Sequence, residues 1–279
     1  MQKKLIAVAI AGALAAPAAI ADVAVSGSIR TGVEYTGSEW KVSDNYSRLR
    51  FKSSSDLGNG QSAYMGYEFR VDSAKGSIVT GNTQRLSYVG IKGDWGSLSL
   101  GSQWSTLFNT VGTFIDKSNR FGGVGYWGNG GGQYRMKDSV AFTTQAGPVW
   151  LQADAQMNAG GDDLDRTSIG GTFAVGGASI GAAWQDNGSA DFTGVGVSMS
   201  LAGLALSGGF TDVSGVGSGY GITGSIAGVR LAYEDSDSYA DPQVWGNYAI
   251  GLGGGAKAII ELMNDGTDTA GIGMLRMDF

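Results

Sequence analysis

"RLRFKSSSDLGNGQSAYMGYEFRV", residues 48–71, decides the fold. Apolar and polar residues alternate on both sides of a polar turn. Leu49 and Phe51 oppose Arg48, Arg50 and Lys52. After Asp56-Leu57-Gly58-Asn59-Gly60, the residues Ala63, Met65, Tyr67, Phe69 and Val71 oppose Ser62, Tyr64, Glu68 and Arg70. A period of two puts successive side chains on opposite faces of a strand, and an Asn-Gly pair between two such runs marks a hairpin.

The same period runs outward to both ends. Val23, Val25, Gly27, Ile29, Thr31, Val33 and Tyr35 share one face, and Ser26, Ser28, Arg30 and Glu34 the other. In the second half Val149, Leu151, Ala153 and Ala155 oppose Trp150, Gln152, Asp154 and Gln156. Val195, Val197, Met199 and Leu201 follow, then Val229, Leu231 and Tyr233 against Arg230 and Glu234, and finally Leu275, Met277 and Phe279. The chain divides into about sixteen such segments of roughly 8 to 12 residues, joined alternately by very short turns and longer polar connections.

Two architectures fit alternation on this scale. In a soluble β-sandwich or propeller the apolar face packs a core and the polar face meets bulk water. In an outer-membrane barrel the apolar face meets lipid and the charged face a wet lumen. The strand number is large for one sandwich, and arginines on the alternate face would be costly in a dry interior. A closed barrel also satisfies every backbone group and has no edges. The expected fold is therefore all-β: a transmembrane antiparallel β-barrel of about 16 strands over residues 22–279, wide enough to hold water. Tyr35, Phe69, Tyr88, Tyr220, Tyr233 and Phe279 are candidates for its interfacial aromatic girdles.

Residues 1–21 read as a secretory signal peptide: Lys3 and Lys4, an apolar run from Leu5 to Ala16, and the small-x-small site Ala19-Ile20-Ala21. The chain has neither His nor Cys. That removes Ser-His-Asp and Cys-His triads, His-based zinc sites and disulfides, and an enzyme is not expected. Net charge is −6 and falls further once Lys3 and Lys4 are removed, which argues against a nucleic-acid partner.

Several stretches resemble the general trimeric porins of Gram-negative outer membranes. "SRLRFKSSSDLGNG" (47–60) is similar to the family's second strand and turn, and "QRLSYVGIKGDWGSLSLGSQWS" (84–105) to its fourth and fifth strands. "FIDKSNRFGG" (114–123) resembles the core of its third loop, and "GIGMLRMDF" (271–279) its closing strand. The resemblance implies a long third loop, here residues 103–134, folded inward to form a pore constriction. It implies wall arginines at Arg48, Arg85 and Arg135, facing Asp116 on the loop. The family's second loop acid is replaced by Arg120, with Lys117 nearby, which makes the expected constriction more positive. Alternation adds Arg30, Arg50, Lys52 and Arg70 as lumen-lining candidates, with Glu34 and Glu68 as counter-charges; the plainer reading of each is a solvated strand end or a neutralised pair. The resemblance also implies a homotrimer among outer-membrane lipid and lipopolysaccharide, passing small hydrophilic solutes and ions.

Charge is divided along the chain. Residues 22–140 carry 13 basic and 10 acidic groups, and residues 141–279 carry 4 and 15. The acids cluster at Asp162, Asp163 and Asp165, at Asp235, Asp237 and Asp241, and at Asp265 and Asp268. Such clusters could hold Ca²⁺, but their spacing matches no EF-hand, solvated turns are the plainer reading, and no cofactor is expected. Gly123-Val124-Gly125-Tyr126-Trp127-Gly128 is a literal G-x-G-x-x-G, yet Asn129 and three glycines follow where a dinucleotide site needs a helix.

Three functions remain open: a passive diffusion channel with weak anion preference resting on Arg120; a substrate-selective channel lined by Phe121, Tyr126, Trp127, Tyr134 and Trp150; and a non-transporting surface barrel.

Overall fold

Alternating segments become a closed sheet when each strand finds a neighbour on both sides, and short turns dictate that the neighbours are consecutive. The computed structural model describes residues 22–78, 85–127, 134–158 and 164–279. The expected signal peptide and Asp162 and Asp163 lie outside the described residues. The strands are β1 (Val23–Tyr35), β2 (Trp40–Asp44), β3 (Arg48–Gly58), β4 (Gln61–Asp72), β5 (Ser77–Ile78), β6 (Leu86–Gly93), β7 (Gly96–Trp104), β8 (Arg135–Ala146) and β9 (Val149–Gln156). They continue as β10 (Arg166–Val175), β11 (Ala178–Asp186), β12 (Asp191–Leu201), β13 (Leu204–Val213), β14 (Gly217–Ile226), β15 (Val229–Ser236), β16 (Gln243–Gly253), β17 (Ala256–Asn264) and β18 (Thr269–Asp278).

All pairings are antiparallel, and β1 closes the ring on β18. Phe279 and Gly27 exchange backbone hydrogen bonds of 2.8 and 3.2 Å at the seam. β2 and β3 both pair with β1, on either side of an extra residue within Asn45–Ser47, so together they form one stave. β5 is a two-residue spur on β4. Sixteen staves therefore make the closed barrel, as expected from the alternation. Among the described residues no helix is long and apolar enough to cross a membrane; the strands themselves are long enough to span one.

The apolar face is the exposed one. Val25, Val33, Ile180, Val195, Ile222 and Leu231 are each more than half exposed. Facing the other way are Ser28, Glu34, Glu68, Gln152, Asp154, Gln185, Glu234 and Glu261, all buried. This inversion suits a barrel with lipid outside and a polar lumen. The packed apolar cluster lies elsewhere: Leu107, Val111, Ile115 and Tyr134 of the β7–β8 connection pack with Ala183, Phe192 and Val213 of the wall.

Register corrects one girdle candidate. Tyr88 pairs with Gly66, which pairs with Lys52, so Tyr88 shares the polar face. Leu86 pairs with Glu68 and lies there too. Arg85 precedes β6 in irregular backbone.

Five of the two-residue hairpin turns have positive φ at both positions: Asn59-Gly60, Gly176-Gly177, Ala202-Gly203, Ala227-Gly228 and Gly254-Gly255. This backbone matches strand twist and favours Asn or Gly first. Ala202 and Ala227 occupy that position at φ 50° and 49°. Replacing either by Gly relieves a left-handed alanine and should raise unfolding free energy by about 1 kcal/mol, read as a higher urea midpoint for the refolded barrel; an unchanged or lower midpoint contradicts this.

Candidate functional site

The lumen wall over β3, β4 and the start of β6 carries a basic cluster. Glu68, 3% exposed, accepts hydrogen bonds from Arg50 Nε and Arg85 Nε, and Arg48 Nη1 stands 3.9 Å from its Oε1. Three guanidiniums against one carboxylate leave a positive surplus. Arg85 and Arg135 lie over the Trp104 ring, 5.5 and 5.7 Å from its centre, and Trp104 stacks on Phe108 at 3.8 Å. Stacking on an indole face holds the guanidiniums without neutralising them. Arg70 stands 3.9 Å from Asp44 and over Tyr46, and Arg30 pairs across the sheet with Arg276. Lys52, on the same face, is further toward the short-turn end and exposed.

The connection after β7 runs along this polar face through a π-helical turn at Phe108–Gly112, a helical turn at Thr113–Ile115 and another at Val124–Trp127. Its attachment is the main feature that alternation alone did not reveal. Asp154 of β9 accepts from Thr106 N (2.5 Å) and Thr106 Oγ1 (2.6 Å). Glu234 of β15 accepts from Gly123 N (2.6 Å), Gly125 N (3.3 Å) and Trp245 Nε1 (2.7 Å). Glu261 of β17 accepts from the backbone N–H groups of Asn119, Arg120 and Phe121 at 2.8, 2.7 and 2.9 Å, and from Asn247 Nδ2 at 3.0 Å. Each is a charge-assisted bond in a protected site, the strong class of hydrogen bond.

Wall glycines make room for this connection. A Cβ on Gly181 would collide with Thr110 O, and one on Gly196 would come within 2.5 Å of Phe114. On Gly194, Gly209 and Gly221 it would meet Val111, Ile115 and Ile115 at 3.0, 3.0 and 2.9 Å. Close approach of the loop explains Gly181, Gly194, Gly196 and Gly221, while a Cβ on Gly209 would first meet the Val195 carbonyl of the neighbouring strand.

Arg120 departs from its expected role as an unpaired pore charge. Its Nε and Nη2 bind Glu34 Oε1 and Oε2 at 2.9 and 3.2 Å, a bidentate pair. Burial alone would weaken its charge, but the hydrogen bond and charge of Glu34 outweigh that and hold the guanidinium more firmly protonated than usual. Arg120 is thus an anchor. Asp116 is exposed to water, within electrostatic reach of Arg48, Lys117 and Arg85. Of the aromatics suggested for a selective channel, Tyr134 is buried in the loop–wall cluster, Phe121 packs on Ile259, Ile272 and Met274, and Trp150 shares the polar face of β9 with Gln152. The side chains of Tyr126 and Trp127 lie outside the described residues. The G-x-G-x-x-G backbone does bind an anion, the carboxylate of Glu234, although Gly128 lies outside the described residues.

Asp154, Glu234 and Glu261 were not singled out from the sequence. Their signal is an inward acid with no cation at any facing position: Asp154 faces Ala141 and Ser168, Glu234 faces Gly221 and Gln243, and Glu261 faces Asn247 and Ile272. Among the described residues no three acids gather at a possible metal position. Asp237 and Asp265 instead accept hydrogen bonds from neighbouring turn backbone, at Ser218 and at Thr267 and Asp268.

A family model described as Gram-negative porin matches residues 6–241. The major outer membrane protein P.IB of Neisseria gonorrhoeae is 38% identical over 126 residues, which cover 39% of this chain and 34% of that protein. The aligned region thus spans about a third of the length of the curated relative. Among solved structures, an anion-selective porin from Comamonas acidovorans superimposes with a TM-score of 0.76 at 17% identity, over 93% of this chain and all of that one. The trimer form of OmpT, an outer membrane protein of Vibrio cholerae, gives 0.69 at 14% identity over 93% of this chain and 99% of its own.

Glu261→Ala leaves three loop N–H groups without their acceptor. Amide hydrogen exchange at Asn119–Phe121 should accelerate at least about tenfold, the loss of one charge-assisted bond, while strand amides keep their protection. Unchanged exchange there would show that Glu261 does not hold the loop.

Proposed function

Because the chain belongs to the Gram-negative porin family, we propose that it forms a water-filled channel across the outer membrane for passive diffusion of ions and small hydrophilic solutes. Residues 1–21 serve as its export signal, and the mature chain assembles as a homotrimer in outer-membrane lipid and lipopolysaccharide, the trimer form of the Vibrio cholerae structure lending support. Residues 103–134 act as the constriction, between the basic wall and the anchoring acids. The chain acts as a channel and not as an enzyme, a reading that the porin family match supports.

The observation that carries the reading is the trio Arg48, Arg50 and Arg85 on the single carboxylate of Glu68, set in the lumen wall. Fixed positive surplus beside a narrow aqueous path favours anions. The anion preference therefore rests on this trio and not on Arg120, whose charge is matched by Glu34. The acidic second half opposes it from the facing wall, where Asp154, Glu234 and Glu261 keep their charge while they hold the loop. The selectivity of the Comamonas protein supports the same direction.

In planar bilayers under a KCl gradient, the reversal potential should have the sign of chloride preference. A unit charge about 8 Å from an ion in water changes the energy of chloride and of potassium by about 0.5 kcal/mol each, in opposite directions, so Arg48→Gln should lower the chloride-to-potassium ratio about fivefold. Arg120→Gln combined with Glu34→Gln removes a neutral pair and should leave the ratio in place. Cation preference in the unaltered protein overturns the selectivity; absence of conductance from folded protein overturns the channel.

A further inference from the structure

On the wall facing away from the arginine trio, the loop roofs a second basic pocket. It has a volume of about 290 Å³ and is lined by Lys117 of the loop, by Arg230 of β15, and by Ser198, Ser207, Thr223 and Ser225 of β12–β14. Register sets these side chains in two rows on the polar face. Ser198 pairs with Ser207 and Ser207 with Thr223; Ser225 pairs with Arg230. Adjacent strands lie about 4.8 Å apart, so hydroxyls and guanidinium converge on one small volume. The Arg230 Nη1 donates to the Lys117 backbone carbonyl at 2.5 Å, which fixes the two cationic residues relative to each other.

The pocket lining has donors and no carboxylate. Neither Lys117 nor Arg230 makes an ion pair among the described residues. Of the hydroxyls, Ser207 donates to Phe114 O at 2.5 Å, while Ser198, Thr223 and Ser225 form no hydrogen bond among the described residues. Burial and the neighbouring Arg230 both press the Lys117 ammonium below its usual pKa, with Asp116 opposing them. Two cations so placed are relieved by an anion between them, and free hydroxyls arranged around a volume suit an acceptor with oxygens in several directions.

We propose that this pocket binds a phosphate dianion, free or as the terminal group of a small phosphorylated solute, with Lys117 and Arg230 matching its charge and Ser198, Thr223 and Ser225 donating to its oxygens. The site is separate from the arginine trio and binds whether or not the channel conducts. Its occupancy would place a second anion station between loop and wall.

Isothermal titration of inorganic phosphate into the refolded full chain, in an amine-oxide detergent that lacks phosphate, tests it. Saturable binding near one phosphate per chain is expected. Lys117→Gln should weaken it at least about tenfold, the scale of one charge-assisted hydrogen bond. Arg230→Lys, which keeps the charge, should stay within about threefold, and Thr223→Val, which keeps the volume, should weaken it about threefold or more. Titrating glycerol 3-phosphate alongside separates free phosphate from a phosphorylated solute: tighter binding assigns the site to the ester, weaker binding to the free ion. No saturable binding of either overturns the proposal. So does displacement by equimolar chloride, the mark of diffuse attraction, and so does binding that is lost in Arg48→Gln but intact in Lys117→Gln. A chain that binds phosphate but carries no current would fail the channel reading and leave this one standing.

Discussion

Buried carboxylates on the barrel wall, each accepting N–H groups from the long β7–β8 connection, are the interaction on which the rest of the site depends. Asp154 takes the start of the connection, Glu261 its middle and Glu234 its glycine-rich end. A connection of this length inside a lumen would otherwise sample many conformations, and its backbone groups would be left to water. Capture at three points, reinforced by apolar contacts of Leu107, Val111 and Ile115, turns it into part of the wall. The strand glycines beneath it are the steric counterpart of the same attachment.

This anchoring redistributes the charge that matters to a permeating ion. Asp154, Glu234 and Glu261 are fixed in place by the loop backbone, and Arg120 is matched by Glu34. The arginine trio around Glu68 retains the surplus. Selectivity therefore depends on which charges are matched inside the lumen, and far less on net charge.

The barrel was legible because its physics is local: alternation, a polar phase rich in charge and Asn-Gly or Gly-Gly turns are all properties of a few adjacent residues. Sixteen staves, the inverted burial and the seam at Phe279 follow from them. Arg48, Arg50 and Glu68 were legible too, since they share a hairpin. Arg120 was misread because its partner is 86 positions away and joined to it only by the folded loop. The roles of Glu234 and Glu261 depend on loop backbone that no periodicity predicts. Tyr88 is a girdle candidate by residue type alone, and its face is set by its pairing with Gly66 across the sheet.

The proposed channel requires the loop to lie against β10–β12 in the conducting state. The chain contains no cysteine, so a designed pair reports without interference. A Cβ on Gly194 would sit 3.0 Å from a methyl of Val111, close enough for a disulfide after a small adjustment. Val111→Cys with Gly194→Cys should cross-link fully under mild oxidation, and single-channel conductance should be the same before and after reduction. Failure to cross-link, or a conductance that changes severalfold when the bond is reduced, would contradict a loop held against the wall.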